Sequence, residues 1–169
     1  MIDFCFSLDP KLKEYCQGTD LKPEDFLPTK THDNDTGYDV RCANKDGIKL
    51  YPNRYFMAEL GWKVLIPDGW WIRLVSRSST FVKKHIINLD GTIDEGYENY
   101  CKFAGVYLPD FSILNPSNEL KFGDRIAQII PLRRENIKLT LVSESEFASK
   151  SEKKGNLRKE KGFGDSGNR

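Results

Sequence analysis

One stretch of the sequence, residues 88–97, combines a carboxylate with the residue types of a tight turn. Gly91 and Gly96 bracket a short β-branched run, and this pattern predicts a β-hairpin in which glycine permits positive φ. The backbone N–H and C=O groups of such a hairpin could bind the edge of a planar ligand. Asp94 follows Ile93 at a stiff strand end, where a general base is well positioned. The alternative is a surface hairpin whose acids face solvent.

A second group of polar residues directly follows an apolar strand pattern and contains Ser76, Arg77, Ser78, Ser79 and Thr80. Hydroxyls and backbone N–H groups at a helix start can bind an anion, and the arginine would add a bidentate donor. The same residue types also cap helices that bind nothing. The sequence therefore leaves a phosphate site and a plain helix cap open.

Two further polar residues interrupt segments that otherwise resemble strands, Asp39 in residues 38–43 and Gln128 in residues 122–130. An acid on an inward-facing strand position is costly unless a cation is near, although an exposed edge position would remove the cost. A buried amide must be satisfied by the backbone or by a polar ligand.

Composition limits the partners and the class of protein. The formal net charge is +1, so nothing global favours nucleic acid or an anionic membrane, and phosphate binding would have to be local. No apolar run approaches the ~20 residues of a membrane span, and the first residues do not resemble a signal peptide, so we expect an intracellular, cytoplasmic protein. The scattered cysteines favour reduced thiols over a zinc site or disulfides.

The apolar pattern alternates in short segments separated by turn residues, which predicts an all-β barrel or sandwich. The expected strands are residues 2–8, 38–43, 48–57, 63–66, 70–75, 100–108 and 122–130, with a possible closing strand at 140–142. One or two helical turns are expected at residues 11–16 and an extended connection at 19–31.

The C-terminal part differs in composition, because residues 143–161 are rich in Ser, Glu and Lys and should be mobile. The segment ends with Phe163 between Gly162 and Gly164, and Arg158 precedes it. A ring that can stack and a cation that can bind phosphate are the parts of a lid. An ordinary disordered terminus is the alternative.

Five segments, in this order, resemble the homotrimeric dUTP pyrophosphatase family, commonly called dUTPase. They are Thr36-Gly37-Tyr38-Asp39-Val40, Ser76-Arg77-Ser78-Ser79, Gly91-Thr92-Ile93-Asp94-Glu95-Gly96-Tyr97, Gly123-Asp124-Arg125-Ile126-Ala127-Gln128, and Arg158 through Gly167. The resemblance implies a jelly-roll-like β domain over residues 1–142, with insertions near 13–26 and 105–118, and a flexible arm over 143–169. It also implies a homotrimer, with the arm donated between subunits, that hydrolyses dUTP to dUMP and pyrophosphate with Mg²⁺.

The resemblance also assigns roles to residues. Asp94 would activate the water that attacks the α-phosphorus, and Asp39 would hold metal-bound water. Phosphate contacts are implied for Arg77, Ser78, Ser79 and Gln128, uracil contacts for Asn88 and the backbone of Gly91, Thr92 and Ile93, and a deoxyribose contact for Tyr97. On the arm, Arg158 and Ser166 would reach the γ-phosphate, and Phe163 beside Gly164 would stack on uracil. Lys102, on the strand after Tyr97, is a further candidate for substrate contact.

Several residues depart from the family pattern. Ser76 stands where the family usually has proline, and Ser79 stands where glycine is common. The arm lacks the usual glycine after Arg158, and Asp165 replaces a serine, which places an added anion near the expected γ-phosphate site.

Two other functions share this fold. The related dCTP deaminases have a similar motif over residues 93–98 but carry a glutamate on the following strand, at a position that falls on Ala104 in this chain. A nucleotide-gated binding protein that regulates a partner would retain the same residues, and residues 110–118 or the long early connection could then contact that partner.

Overall fold

The computed structural model describes residues 2–109 and 118–154, and it contains an all-β, jelly-roll-like fold. Its strands, in chain order, are Cys5–Leu8 (β1), Tyr38–Arg41 (β2), Ile48–Leu50 (β3), Tyr55–Glu59 (β4), Trp62–Leu65 (β5), Trp70–Ser76 (β6), Ile86–Asn88 (β7), Gly91–Ile93 (β8), Lys102–Tyr107 (β9), Asn118–Leu120 (β10) and Arg125–Arg133 (β11). The helices are Leu12–Tyr15 (α1), the 3₁₀ helix Pro23–Phe26 (η1), Ser78–Lys84 (α2) and Glu144–Lys153 (α3).

The strands form antiparallel sheets, of which the largest has the order β2-β11-β6-β8. A second sheet has the order β4-β9-β7, and two pairs are formed by β1 with β5 and by β10 with β3. Proline is tolerated at Pro131 because β2 pairs with β11 only as far as Ile129, so the proline needs no N–H on that side. The central sheet thus places β11 between the strand that precedes Arg77 and the strand that contains Asp39.

The hydrophobic core consists of the inward-facing residues of these strands. In β5 the alternation is regular, because Trp62 and Val64 are buried whereas Lys63 and Leu65 are exposed. Ile72 and Leu74 of β6 are buried in the same cluster. A smaller cluster lies under α1 and η1 and is built from Leu12, Cys16, Phe26 and Ala43. The early connection is therefore packed against its own core.

The hairpin expected at residues 88–97 is wrong. β7 pairs with β9, whereas β8 pairs with β6, so the chain passes from one sheet to another between Asn88 and Gly91. Neither Gly91 nor Gly96 has a positive φ. A Cβ on Gly91 would lie 3.4 Å from the Leu74 Cβ, which is an ordinary van der Waals contact, so neither φ nor space requires glycine at this position.

The segment after β6 forms a short helix, as the polar pattern indicated. α2 begins at Ser78, and the buried Thr80 hydroxyl donates to the Ile126 carbonyl at 2.8 Å, which attaches the helix to β11. The helix ends at His85, whose φ of 52° is left-handed and whose N–H donates to the Phe81 carbonyl at 2.9 Å. His85 therefore has a structural role as a C-cap.

Other boundaries also differ from the sequence prediction. The strand expected over residues 48–57 is divided into β3 and β4 by a turn in which Asn53 has a φ of 57°. The first strand begins at Cys5 rather than Ile2, and the connection expected to be extended contains η1. The closing strand expected at residues 140–142 is wrong, since those residues have no regular structure.

The chain divides into two compact units, Met1–Glu135 and Asn136–Arg169. The second unit contains α3, which composition did not predict. Its N-terminus is a capping box, in which Ser143 and Glu146 bond each other's backbone N–H. Before the helix, Ile137, Leu139 and Leu141 alternate with polar residues and are 76%, 86% and 100% exposed.

All four cysteines are free, as expected. Burial raises the pKa of Cys42 to about 11 and that of Cys101 to about 12, so both thiols stay protonated near neutral pH. Within the two described stretches, no helix has the length and apolar character needed to cross a membrane.

We expect Thr80→Val to lower the free energy of unfolding by about 1–3 kcal/mol, because the isosteric change removes the buried donor to the Ile126 carbonyl. Urea denaturation at one fixed protein concentration measures this. Thr140→Val is the matched control, since Thr140 is exposed and should tolerate the same change. Equal stability of Thr80→Val and the wild type would contradict the anchoring role.

Candidate functional site

Several sequence-predicted residues come together in one cavity of about 350 Å³, which we call the Arg77 cavity. Its walls come from β2, β11, the start of α2 and the turn before β2. They are Thr31, Asp35, Thr36, Gly37, Asp39, Arg77, Ser78, Gln128 and Ile130.

Strand register explains why these residues meet. Gln128 of β11 lies directly opposite Asp39 of β2, so the two side chains project from the same face of the sheet. On the other side of β11, Ala127 lies opposite Ser76, the last residue of β6. Arg77 therefore leaves the sheet next to the Asp39–Gln128 pair.

Asp39 has the cationic partners that its position requires. Its Oδ1 is 2.8 Å from Arg77 Nε, and its Oδ2 is 3.5 Å from Arg125 Nη1. The Asp39 side chain is only 13% exposed. Arg77 uses Nε for this pair, and its Nη1 donates to the Arg125 carbonyl at 3.4 Å, so the two bonds together orient the guanidinium.

Charged groups of both signs lie around this carboxylate, since Asp25 acts on Arg41 and Asp35 lines the Arg77 cavity. Arg41 lies on the same strand as Asp39, and its Nε and Nη1 donate to the carbonyls of Asp25 and Gly123 at 3.0 and 2.6 Å. Burial lowers the pKa of the Arg41 guanidinium, and repulsion from Arg125 adds to the decrease. The attraction of Asp25 and Asp39 opposes this decrease, so the arginines and the acids form one coupled group of charges.

Gln128 is held by its backbone neighbours. Its Nε2 donates to the Ser76 carbonyl at 3.4 Å, and a Cβ built on Gly37 would overlap its Oε1. Gly37 has no positive φ, so glycine is needed here for close approach to the amide. The glycine in the Thr36-Gly37-Tyr38-Asp39 segment is therefore explained by the space that the Gln128 side chain needs.

Asp94 lies in a separate cavity of about 240 Å³, which we call the Asp94 cavity. Its walls are Trp70, Trp71, Thr92, Asp94, Glu95 and Arg134. Glu95 Oε2 accepts from Arg134 at 2.9 Å and from the Gly69 N–H at 3.1 Å. In the described part of the chain, the Asp94 carboxylate has no hydrogen bond or ion pair and is exposed, so both oxygens can accept a proton or a water.

β8 is an edge strand of its sheet in the described structure. Gly91, Thr92 and Ile93 pair with β6 on one side only, which leaves backbone groups on the other side available to a ligand. Nearby, Asn88 Oδ1 accepts from the Ser76 hydroxyl at 2.8 Å, and Asn88 Nδ2 donates to the Leu89 carbonyl at 3.0 Å.

Tyr97 and Lys102 line a third, larger cavity of about 930 Å³ that is also bordered by α1. Tyr97 is 41% exposed, and its hydroxyl donates to the Tyr100 carbonyl at 3.3 Å. Lys102 Nζ is 2.9 Å from Glu59 Oε1, which raises the pKa of Lys102 through a hydrogen bond and charge attraction. Lys102 is therefore already paired and is the weakest of the substrate-contact candidates.

Some expected residues are not brought together, and some residues were missed. Ser79 does not line the Arg77 cavity. The candidates Arg158, Phe163, Gly164 and Ser166 lie outside the described residues.

Two features of the site were not predicted from the sequence, namely Arg125 and the hydrogen bond from Ser76 to Asn88. Arg125 could have been found from its position at a strand start, after the Gly-Asp turn.

Comparisons with known proteins agree on one family. The dUTPase family model matches residues 25–167. The deoxyuridine 5'-triphosphate nucleotidohydrolase of Mycobacterium tuberculosis H37Rv is 36% identical over 126 residues, which are 73% of this chain and 77% of the relative. That of Mycobacterium leprae TN is 33% identical over 134 residues, 78% of this chain and 83% of the relative.

Solved structures show the same fold. The dUTPase of Staphylococcus bacteriophage 80alpha with dUPNHPP has a TM-score of 0.74 at 24% identity, covering 98% of this chain and 99% of that chain. A mutant dUTPase from phage phi11 of S. aureus is described with a structural Mg(II) ion and has a TM-score of 0.67 at 22% identity. This match covers 86% of the present chain and 99% of the phage chain.

We expect Gly37→Ala to lower the free energy of unfolding by about 1–3 kcal/mol, because the added methyl group must displace the Gln128 amide from a packed position. Thermal or urea denaturation at fixed protein concentration measures the change. Gly96→Ala is the matched control, since nothing lies within 4 Å of a Cβ at that position. Equal effects of the two substitutions would contradict the close approach of Gly37 to Gln128.

Proposed function

Because the chain belongs to the dUTPase family, we propose that it hydrolyses dUTP to dUMP and pyrophosphate by attack of an Asp94-activated water on the α-phosphorus. The observation that carries this proposal is the Arg77 cavity, in which Asp39 holds Arg77 in place beside the Ser78 and Gln128 side chains. Arg41 and Arg125 lie close enough to repel each other, and a bound triphosphate would reduce this repulsion.

The phosphate chain would bind in the Arg77 cavity. Asp39 holds Arg77 through Nε and the Arg125 carbonyl accepts from Nη1, so the remaining N–H groups of Arg77, chiefly those of Nη2, can donate to phosphate oxygens in a fixed direction. In the described part of the chain the Ser78 and Ser79 hydroxyls have no partner, and the Ser78 hydroxyl lies at the wall of the cavity. Gln128 would donate from the same face as Asp39. These donors would stabilise charge that moves toward the leaving pyrophosphate.

The base would bind at the edge of β8. The free backbone groups of Gly91, Thr92 and Ile93 can pair with the edge of uracil, as an added strand would pair. Asn88 would contribute its amide, and Tyr97 would pack against the deoxyribose.

Mg²⁺ would be held by Asp39 through water. Both Asp39 oxygens already bind guanidinium groups, and no three His, Cys, Asp or Glu side chains cluster within the described ranges, so this chain offers no direct cage. This fits Mg²⁺, which usually keeps several waters and is bound by one or two carboxylates plus substrate phosphates. When bound, the ion would neutralise phosphate charge and orient the triphosphate.

Asp94 would act as the general base. Its unpaired carboxylate can accept the proton of a water as the water oxygen bonds to the α-phosphorus. The bond from the α-phosphorus to the bridging oxygen then breaks, and pyrophosphate leaves. The aromatic wall of Trp70 and Trp71 would limit solvent around the attacking water.

The active site would be completed by neighbouring subunits. The Arg77 cavity and the Asp94 cavity share no lining residue. Within one chain, the proposed phosphate-binding residues and the proposed general base therefore lie in two separate cavities. A homotrimer would bring the Asp94 cavity of one subunit to the Arg77 cavity of another. The exposed, alternating Ile137, Leu139 and Leu141 have the pattern of a strand that adds to a sheet edge, which supports donation of the arm between subunits.

Deamination is the alternative that the sequence leaves open. Ala104, the position expected to hold the deaminase glutamate, lies in β9 opposite Met57 and supplies no carboxylate. Incubation with dUTP, dCTP and UTP plus Mg²⁺ distinguishes the two activities. We expect dUMP and pyrophosphate from dUTP alone, whereas ammonia released from dCTP would overturn the proposal.

A regulatory protein partner stays a prediction. Within the early connection, Phe26 of η1 is packed into the smaller core, whereas residues such as Lys22 and Glu24 are exposed, so a partner would contact the outer side of this connection.

We expect Asp94→Asn to lower kcat by at least about 100-fold, the usual contribution of a general base, because the amide cannot accept the proton of water. Binding of a non-hydrolysable dUTP analogue, measured by calorimetry, should persist. Asp20→Asn is the matched control on an exposed turn and should keep full activity. An unchanged kcat in Asp94→Asn would refute the assigned role.

We expect removal of residues 155–169 to lower activity about 100-fold, the effect typical of losing one preorganised donor to a charged transition state. Residues 136–154 remain in this variant, so the trimer should persist in sedimentation velocity experiments. A truncated protein that dissociates would show that the last residues hold subunits together rather than close over substrate.

A further inference from the structure

Ser76 connects two residues to which the proposed function assigns substrate contacts. Its hydroxyl donates to Asn88 Oδ1 at 2.8 Å, and its carbonyl accepts from Gln128 Nε2 at 3.4 Å. The residue is half-buried at the end of β6. Its side chain and its backbone therefore bond two different candidate residues at the same strand end.

We propose that Ser76 is a positioning residue that holds the Asn88 amide in place and so contributes to the choice between uracil and cytosine. The inference rests on the proposed function, in which Asn88 contacts the base. Ser76 itself would not touch the substrate. It would act through the hydrogen bond to Asn88.

The orientation follows from the donors and acceptors around the amide. The two ends of an asparagine amide have nearly the same shape, so only hydrogen bonds decide which end faces which neighbour. The Leu89 carbonyl can only accept, so it selects the Nδ2 end. The Ser76 hydroxyl donates to the Oδ1 end. An inverted amide would set Oδ1 against the Leu89 carbonyl, which opposes the inversion. The Ser76 hydroxyl could bond either end, so its contribution is to hold the amide that Leu89 has oriented in one position.

A fixed amide can discriminate between bases. Nδ2 carries two hydrogens, and Leu89 accepts one of them, so the second can be offered to a ligand. A ring with a carbonyl at that edge, such as uracil, can accept it. A ring with an amino group there, such as cytosine, would place donor against donor. Sites that hydrogen-bond one substrate group reject analogues that lack it, because buried polar groups are then left unpaired.

The backbone of Ser76 is held independently of its side chain. Ser76 lies opposite Ala127 in the β6–β11 ladder, and the bond from Gln128 goes to its carbonyl. Substitutions that change only the side chain should therefore leave Gln128 in place. This makes Ser76→Ala a selective test of the hydroxyl, and Ser76→Thr a conservative variant that keeps it.

The test is steady-state kinetics of the full-length protein with Mg²⁺, on dUTP and dCTP, for Ser76→Ala, Ser76→Thr, Asn88→Ala and the Ser76→Ala/Asn88→Ala double variant. We expect Ser76→Ala to raise KM for dUTP about 5–10-fold, the size of one lost hydrogen bond, with little change in kcat. Its preference for dUTP over dCTP should fall by a similar factor. Ser76→Thr should stay close to the wild type in both measurements.

The double variant separates positioning from a general structural effect. If Ser76 acts through Asn88, Ser76→Ala should have no further effect on KM in the Asn88→Ala background. An equal effect in both backgrounds would overturn the inference, as would a Ser76→Ala variant with unchanged KM and base preference. If Asn88→Ala itself leaves KM unchanged, the assigned base contact fails and the inference fails with it. An effect of Asn88→Ala without any effect of Ser76→Ala would refute only the role of Ser76.

Calorimetry with non-hydrolysable imido analogues of dUTP and dCTP gives a readout that is independent of turnover. Ser76→Ala should weaken binding of the dUTP analogue about 5–10-fold and reduce its advantage over the dCTP analogue, as expected for one lost hydrogen bond. Equal weakening of both analogues would show a general loss of structure and would contradict selection of the base by Asn88.

Discussion

The site depends on the ion pairs of one largely buried carboxylate. Asp39 is 13% exposed and is compensated by Arg77 at 2.8 Å and Arg125 at 3.5 Å. Removing either cation would leave the acid undercompensated, and removing the acid would leave Arg41, Arg77 and Arg125 with less countercharge. The β2–β11–β6 register places these groups on one face, so the electrostatics of the site are built into the central sheet.

Much of the fold follows from local sequence patterns. Alternation predicted β2, β5, β6, β9 and β11, because side chains that alternate between core and solvent need period two. It could not identify which strands pair. Residues 88–97 look like a hairpin locally, but β7 and β8 join different sheets, and only long-range packing decides that. The α3 helix was missed because composition was weighed above the Ser143–Glu146 capping box, which is visible in the sequence.

In the candidate site, the polar residues could be predicted from the sequence, whereas their partners could not. An acid and an amide in apolar strands need partners, and this requirement alone singles out Asp39 and Gln128 in the sequence. Their partners were harder to predict, since Gln128 meets Gly37 and Ser76, which are distant in sequence. The net charge of +1 was also uninformative, because it does not reveal that arginines and aspartates from distant parts of the chain cluster around Asp39.

An unpaired strand edge links the fold to its chemistry. Edge strands normally invite aggregation, and proteins limit them with short strands and charged neighbours. β8 is three residues long, and the chain immediately before it carries Asp90, which pairs bidentately with Arg73 at 2.6–2.9 Å. Lengthening β8 or pairing its edge within the chain would remove the backbone groups that a planar base could use. Among the described residues this edge is short and flanked by charge rather than covered, so its outward backbone groups stay free to form hydrogen bonds.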